Sequence, residues 1–425
     1  MVFLILSIIS LIAVYSAIGR FAITKMGTSP TGGFIKHLSI VLATYVFIIA
    51  LSNFVNYRAF SRISQIGYWL SIVLLAVMAI IGSRWIRIPG FGQFQPSEIA
   101  KVVAIMYTAR LLSQKPDEIE EKDGFIRILI ALRVIKNGIT DKVLFWRVVA
   151  AIALVSALIL PENFSTAALV FFSCYMLMFF SDTNKRYWWR LLAIAVAVVG
   201  IGLFCTVKLG DKVTVFRSET WGNRIEHWLN PDFDDLAQEN IAKMAIARGK
   251  FLGVGVGNTI HARLMTQGEN DFIYAIIIEE GGMLAGIFIL ILYSVFFFRC
   301  IRISWRCKGE FGSLSVAGLG TVIYLQALAN MCVAVGVIPV TGQTLPFISY
   351  GGTAYLFLGA AVGVIQAIAF DTNKKAQETK KKQPATKRTP VAETTQQNNE
   401  TPKPKQTAPK GLDNVDDIFA NMGEI

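Results

Sequence analysis

Acidic residues stand at the start of one long apolar run and just inside it. Residues 238–270 are polar and rich in glycine, and Asp271 follows them directly before the apolar run. Glu279 and Glu280 lie further along the same run. A carboxylate at a membrane boundary can act as a general base toward the hydroxyl of a lipid-borne substrate. Spacing alone leaves a second interpretation open, in which Asp271 or the residue before it caps a helix.

A further acid and base lie inside another apolar block. Glu98 and Lys101 are three residues apart, so on a helix they share one face and can form an ion pair. Charged groups at membrane depth are costly and are usually paired or line a water-filled cavity. Lys101 therefore has three candidate partners: Glu98, the Glu279–Glu280 pair, or a substrate phosphate.

The stretch 336–353 is dense in helix-breaking residues beside the membrane, with repeated glycines and prolines. Irregular backbone at that depth is tolerated where it is buried in protein or lines a cavity. The composition therefore predicts a broken helix that borders the same pocket as Asp271. Gln343 and Ser349, within this stretch, are candidate substrate-binding residues.

The polar loop ahead of Asp271 combines glycines with basic side chains. Gly253, Gly255 and Gly257 lie in no βαβ unit, so a nucleotide-binding loop is rejected, and close packing of the loop is expected instead. The basic residues can bind lipid headgroups or a substrate pyrophosphate; they are Arg217, Arg224, Lys243, Arg248, Lys250 and Arg263. No ligand cluster fixes a metal site.

The elements that must position these residues are membrane helices. Hydrophobic residues make up 54% of the 425 residues and charged residues 16%, against about 25% charged in soluble domains. Apolar blocks predict an all-α polytopic membrane protein of about ten spans. The spans fall near 2–17, 38–55, 67–82, 98–113, 147–161, 163–181, 188–207, 271–298, 313–335 and 346–370. The net charge of +12 is dispersed between these blocks, which argues against nucleic-acid binding.

The distribution of Lys and Arg predicts the orientation of the chain. Alternate loops carry most of the basic residues, so the positive-inside rule places both termini in the cytoplasm. The long loop 208–270, between the seventh and eighth helices, and Asp271 then lie on the extracytoplasmic side. Residues 371–425 are rich in Lys, Thr, Gln and Pro, which predicts a disordered cytoplasmic tail. Residues 412–422 could form a short docking motif within it.

Four stretches of residues 1–370 resemble the family of shape, elongation, division and sporulation (SEDS) proteins. They are the FQPSEIAK run at 94–101, PENFST at 161–166, NDFIY with EEG at 270–281, and the glycine- and proline-rich stretch 336–352. The resemblance implies a ten-helix protein that polymerises lipid II into peptidoglycan strands beside a class B penicillin-binding protein. It also implies that Asp271 is the essential aspartate and that Arg84, Glu98 and Lys101 lie near the cavity. The sequence of the 339–352 run, PVTGQTLPFISYGG, is more similar to the division branch than to the elongation branch.

The resemblance implies a specific reaction at the outer face of a bacterial plasma membrane, at the division septum. Asp271 is expected to deprotonate the acceptor 4-hydroxyl, which attacks the undecaprenyl-pyrophosphate-linked donor with inversion to a β-1,4 bond. Basic residues or a divalent cation such as Mg²⁺ are candidates for neutralising the displaced pyrophosphate. Expected partners are lipid II, the growing glycan strand, the penicillin-binding protein and other division proteins. A lipid-linked precursor translocase and a non-catalytic scaffold are the alternatives.

Overall fold

The computed structural model describes residues 1–21, 30–83, 85–88, 92–114, 141–181, 186, 188–195, 238–265, 268–350 and 352–382. The predicted tail motif 412–422 and two predicted site residues, Arg84 and Arg217, lie outside these ranges. Contacts divide the chain into one unit, Met1–Glu378, and a second unit, Thr379–Ile425. Of the second unit, only the end of one helix is described.

The first unit is built from helices, as the apolar blocks predict. Their bounds are α1 Val2–Phe21, α2 Pro30–Phe54, α3 Tyr57–Ile81, α4 Pro96–Leu112, α5 Asp141–Ile159, α6 Phe164–Phe180, α7 Gln238–Gly249, α8 Ile273–Arg306, α9 Glu310–Ala334 and α10 Gly352–Lys382. A short antiparallel hairpin, β1 Ile86–Ile88 and β2 Gly92–Phe94, joins α3 to α4. A 3₁₀ turn, His261–Arg263, follows α7.

Within the described ranges, five helices are long and apolar enough to cross a bilayer. They are Thr31–Phe54, Tyr57–Ile81, Ile273–Arg306, Glu310–Ala334 and Gly352–Lys375. Shorter apolar helices cover Val2–Ala17, Phe145–Ile159 and Phe164–Phe180. Several such helices in one chain make this a multi-pass membrane protein, as the composition predicted. Of the predicted seventh span, 188–207, residues 188–195 are helical and the rest lie outside the described ranges.

Capping groups set helix ends that hydropathy does not mark. Helix α3 begins at Tyr57, two to three turns before the apolar run that predicted a span from residue 67, because the Asn56 side chain accepts a hydrogen bond from the Arg58 N–H. It ends at Gly82, whose φ of 70° is the left-handed conformation common at helix C-termini. A tight turn at Pro161 joins α5 to α6, and Asn163 caps α6 by accepting from the Thr166 N–H at 3.2 Å.

Helix α9 occupies the middle of the bundle and packs against α4, α6, α7 and α8. Within its apolar window 72% of residues are buried, against 28% in α8. Helix α8 therefore presents most of its surface outward, whereas α9 is enclosed by protein. Polar side chains on α9 must find partners inside the bundle because water does not reach them.

Helix α8 is interrupted, where the sequence predicted one continuous span over 271–298. Gly282 has φ 74° and ψ −179°, a conformation that is essentially restricted to glycine. The break divides α8 into a short segment, 273–281, and a long one, 283–306. At the other end of the chain α10 continues to Lys382, past residue 370 where the predicted span ended. An ion pair between Asp371 and Lys375, at i and i+4, supports that extension.

Candidate functional site

Asp271 lies in the turn that leads into α8 and its side chain is half-buried. The helix begins at Ile273 with Phe272 as its cap residue, so the interpretation of Asp271 as the helix cap is wrong. The main-chain carbonyl of Asp271 accepts a hydrogen bond from Asn330 Nδ2 of α9 at 2.8 Å. The peptide group of Asp271 is thereby fixed through its main chain.

The broken segment, residues 335–350 between α9 and α10, lies directly against this turn. A Cβ atom placed on Gly342, which has φ 66°, would be 3.8 Å from Asp271 Oδ2. Ser349 Oγ donates to the Asn270 carbonyl at 2.6 Å, and Tyr350 N–H donates to the Glu269 carbonyl at 3.0 Å. Three consecutive carbonyls, those of residues 269 to 271, are therefore each held by a separate donor. The predicted contact between the broken segment and Asp271 is confirmed.

The predicted residues Gln343 and Ser349 brace the broken segment internally. The Gln343 amide nitrogen donates to Thr166 Oγ1 of α6 at 2.7 Å, and the Gln343 carbonyl accepts from Asn330 Nδ2 at 2.7 Å. Ser349 Oγ also accepts from the Leu345 N–H at 2.8 Å. Both side chains are buried and engaged within the protein, which makes them supports of the site in this conformation.

Lys101 and Glu98 form a buried pair connected to the same segment. Lys101 Nζ lies 2.9 Å from Glu98 Oε1 and donates to Gln326 Oε1 at 2.8 Å, and the lysine is fully buried. Gln326 Nε2 donates in turn to the Thr344 carbonyl at 3.0 Å. Of the three candidate partners predicted for Lys101, the structure pairs it with Glu98. The chain of contacts leads from α4 through α9 to the segment beside Asp271.

The other two predicted acids serve a separate cluster. Glu279 is fully buried and receives the Arg248 guanidinium at 2.6 Å, the Ile260 N–H at 3.2 Å and the Thr259 hydroxyl, with His261 Nδ1 at 2.8 Å. Four groups from the loop after α7 thus converge on one carboxylate. The buried charge is compensated, and the loop is tied to the short segment of α8.

Glu280, the next residue, connects the same loop to α1. It accepts hydrogen bonds from the Ser16 hydroxyl of α1 and from the Gly257 N–H, the latter at 3.0 Å. The two adjacent acids therefore link the loop, α1 and α8. This arrangement anchors the segment that carries Asp271.

The expected close packing of the loop glycines is confirmed at Gly253. A Cβ at Gly253 would lie 2.1 Å from the Glu280 carbonyl oxygen, and one at Gly282 would lie 2.2 Å from that of Phe251. The loop and the break are joined by backbone bonds, Val254 N–H to Glu279 O at 3.0 Å and Gly255 N–H to Glu280 O at 2.9 Å. Side chains at these positions would force the two backbones apart.

Gln326 and Asn330 are site residues that the sequence reasoning missed. They stand four residues apart on one face of α9, and both are fully buried. Amide side chains in the middle of an apolar helix are costly to bury unless they are hydrogen-bonded. Two amide residues at i and i+4 within an apolar span could therefore have indicated a buried polar contact at this position. Among the described residues, no group of three or more His, Cys, Asp or Glu side chains comes together as a metal site.

The family model for cell cycle proteins of the FtsW, RodA and SpoVE type matches residues 1–374. A probable peptidoglycan glycosyltransferase FtsW of Lactococcus lactis is 29% identical, over 89% of this chain and 93% of its own. Its counterpart in Enterococcus hirae is 30% identical, over 85% and 89%. A solved peptidoglycan synthase complex, described as coordinating polymerization and crosslinking, contains a similar fold with a TM-score of 0.59. That chain is 22% identical and the match covers 85% of this chain and 96% of that one.

Proposed function

This chain belongs to the FtsW, RodA and SpoVE family of cell cycle proteins, and from that membership we propose that it is a peptidoglycan glycosyltransferase acting in division. Its substrate is lipid II, which it polymerises into β-1,4 glycan strands. The names of the relatives from Lactococcus and Enterococcus support the activity and the division role. The structural observation that carries the proposal is the half-buried Asp271, which ends a turn whose three consecutive carbonyls, those of residues 269 to 271, each accept from a separate donor.

In the proposed reaction Asp271 is the general base. It accepts the proton of the acceptor 4-hydroxyl as that oxygen attacks the anomeric carbon of the donor. The bond to the undecaprenyl pyrophosphate breaks, and the configuration inverts. A base must be held within hydrogen-bond reach of the proton it removes, and rigid placement of its peptide group supplies that positioning. The Glu98–Lys101 pair and Gln326 support the wall that faces the base.

The displaced pyrophosphate carries negative charge that must be neutralised. Lys243 of α7 is exposed and lies against Gly336, at the beginning of the broken segment. Lys101 and Arg248 are engaged with Glu98 and Glu279. Lys250 and Arg263 are the other described cations of the loop, and we assign this role to Lys243 because its side chain lies against the broken segment. Arg217 remains a second candidate, and a divalent cation such as Mg²⁺ bound mainly through the pyrophosphate oxygens would add to either.

The proposal includes an orientation in the membrane. Asp271 precedes the first residue of α8, and Arg299, Arg302, Arg306 and Lys308 stand at or just beyond its last turns. The positive-inside rule assigns that basic end to the cytoplasm. Asp271 and the loop 208–270 then face outward, where lipid II is consumed, and ten spans return both termini to the cytoplasm. The similar chain belongs to a complex described as coordinating polymerization and crosslinking, which supports a crosslinking partner for this chain. We propose that this partner is a class B penicillin-binding protein and that the two act at the septum.

The decisive test is polymerisation of lipid II by the purified full-length protein together with its penicillin-binding protein. Asp271→Asn keeps the size and the main-chain bonds but removes the base, so we expect polymer from the wild type and none from the variant. Glu310→Gln, an exposed acid at the other end of the bundle, is the matched control and should polymerise normally. Equal polymer from Asp271→Asn and the wild type would refute the proposed role of Asp271.

One observation favours a second candidate, the translocation of a lipid-linked precursor. Transporters commonly contain discontinuous helices at their substrate sites. This bundle has one break at Gly282 and another irregular segment between Val335 and Tyr350. The same purified protein in vesicles separates the two functions: transfer of labelled lipid between leaflets without polymer would favour the translocase. Polymer without transfer would favour the glycosyltransferase.

A further inference from the structure

A crevice lies at the end of the bundle opposite Asp271. Its cavity volume is about 50 Å³, and it opens between the beginning of α3, the turn from α8 to α9, and the later turns of α10. Its lining residues are Tyr57, Arg306, Cys307, Lys308, Gly309, Asp371, Thr372 and Lys375. None of these residues belongs to the site around Asp271. The crevice is therefore a separate feature that polymerisation chemistry does not explain.

One wall of the crevice is a closely packed aromatic ring. The Lys375 ammonium stands 4.6 Å from the centre of the Tyr57 ring, at cation–π distance. A Cβ atom on Gly309 would lie 3.1 Å from the Tyr57 hydroxyl oxygen, and one on Gly312 would lie 3.7 Å from the ring. Because the turn packs this tightly on Tyr57, the ring and the α8–α9 turn form a fixed wall.

The charge of the crevice is positive. The one acid among its lining residues is Asp371, and its Oδ2 lies 2.6 Å from Lys375 Nζ. Arg306 and Lys308 are exposed, and within the described part of the chain neither has a carboxylate within 4.0 Å. The Asp371–Lys375 pair is neutral, so the two remaining cations dominate the field that a ligand would meet.

The crevice stands at the level where the helices leave the apolar layer. The membrane-spanning part of α10 ends at Lys375, α8 ends at Arg306, and α3 begins at Tyr57. Large aromatic side chains are exposed close by, with Trp305 82% and Phe370 65% exposed. Exposed aromatic residues at helix ends are typical of the headgroup region of a bilayer. A ligand that reaches Arg306 and Lys308 from this level would come from the membrane surface.

We propose that this crevice is a binding site for a phosphate anion, supplied by the headgroup of an anionic phospholipid. The Arg306 guanidinium is suited to pair with two phosphate oxygens, and the Lys308 ammonium adds a second positive charge. Lys375, oriented by Asp371 and Tyr57, borders the space that the headgroup occupies. The acyl chains extend along the exposed aromatic side chains of α8 and α10. A soluble phosphate would offer the same chemistry without the chains.

Native mass spectrometry of the full-length protein in detergent tests the proposal. The protein is stripped of lipid and then titrated with phosphatidylglycerol or with phosphatidylcholine of the same acyl chains. The test variant is Arg306→Gln with Lys308→Gln. The matched control is Arg299→Gln with Arg302→Gln, which removes two exposed cations near the same end of α8 that do not line the crevice. Thermal unfolding is recorded for both, and Lys308→Gln alone serves if the double variant unfolds early.

We expect the wild type and the control to retain phosphatidylglycerol in preference to phosphatidylcholine. Binding by the test variant should be about thirtyfold weaker, since each basic side chain near a charged headgroup contributes about fivefold. Inorganic phosphate is titrated in parallel. If it displaces the lipid and shows the same dependence on Arg306 and Lys308, the phosphate site stands and its source is soluble. Unchanged lipid binding in the test variant, or an equal loss in the control, would overturn the proposal.

Discussion

Asn330 holds Asp271 by its main chain. Asn330 Nδ2 donates to the Asp271 carbonyl at 2.8 Å and to the Gln343 carbonyl at 2.7 Å, so a single amide joins the turn before α8 to the broken segment after α9. The Asp271 carboxylate takes no part in that bond. This division of roles within one residue separates positioning from chemistry, and mutations can distinguish them.

Replacing Asn330 should lower turnover without removing the base. Asn330→Leu leaves two buried carbonyls without their donor, which costs about 1–3 kcal/mol of folding free energy. The turn is then free to shift, and a displacement of about 1 Å can reduce the rate about a hundredfold. We expect kcat for lipid II polymerisation to fall about ten- to a hundredfold while KM changes little.

A matched substitution at another helix cap controls for lost stability. Asn56→Ala removes the exposed cap of α3, which also costs about 1 kcal/mol, but Asn56 is remote from Asp271. We expect a lower unfolding temperature with unchanged kcat. If Asn330→Leu and Asn56→Ala lose the same activity at the same stability, positioning by Asn330 is refuted.

The Glu98–Lys101 pair should show strong coupling in a double-mutant cycle. Lys101→Met alone leaves the Glu98 charge buried without a partner, which typically costs about 3–5 kcal/mol. Adding Glu98→Gln removes that charge and should restore most of the stability. Activity should stay low in the double variant. Gln326 no longer accepts a hydrogen bond from Lys101, so its side chain is less well oriented to donate to the Thr344 carbonyl. Thermal unfolding and polymerisation are measured on all four proteins; additive losses in stability would contradict a coupled pair.

Glu279 should control the order of the loop after α7. Glu279→Leu removes the acceptor shared by Arg248, Thr259 and the Ile260 N–H. Hydrogen exchange should accelerate at the amides of residues 250–261 and remain unchanged around Gly318 of α9, which packs against Ile105 of α4 and Leu177 of α6. Glu310→Leu is the control, since that acid is exposed and makes no such cluster. Protection that is lost equally throughout the protein would indicate global unfolding and contradict a local anchor.

Two glycines with positive φ should differ sharply in tolerance. Gly82, at φ 70° and ψ 19°, has the left-handed helical conformation, in which alanine is strained by about 1–2 kcal/mol, whereas Gly282, at φ 74° and ψ −179°, has a conformation essentially restricted to glycine. A Cβ at Gly82 meets nothing within 4 Å, whereas a Cβ at Gly282 lies 2.2 Å from the Phe251 carbonyl oxygen. We expect Gly82→Ala to fold with a small decrease in unfolding temperature and Gly282→Ala to yield little folded protein. Similar yields in fluorescence-detected size exclusion would contradict the close approach.

Hydropathy located the helices because apolar runs are a one-dimensional signal. It misplaced the beginning of α3, since a cap residue and not the first apolar residue decides where a helix begins. Hydropathy also predicted an unbroken helix across Gly282. The helix breaks there because of contact with the opposing loop, and that contact does not change the hydropathy of the sequence.

Asp271 and the 336–353 segment could be predicted because polar or helix-breaking residues are costly at the membrane boundary, so their presence indicates a cavity or a functional site. The partners of Lys101, Glu279 and Asp271 were not. They depend on contacts between residues far apart in the chain, such as Lys101 with Gln326 and Asn330 with Gln343, and on which of several compatible pairs the packing selects. A sequence offers the charges that must pair but does not choose among the partners.

The break in α8 has a mechanical consequence. An unbroken helix from Ile273 to Arg306 would be rigid, so a tilt of its Arg306 end in the bilayer would displace Asp271 at the other end. At Gly282 the loop after α7 holds both sides of the break: the Val254 and Gly255 N–H groups donate to carbonyls of the short segment, and the Met283 N–H of the long segment donates to the Lys250 carbonyl at 3.0 Å. The long segment presents Leu284, Ile287 and Phe288 to its surroundings. A tilt imposed there by the membrane or by a neighbouring helix is therefore resisted at the loop before it reaches Asp271.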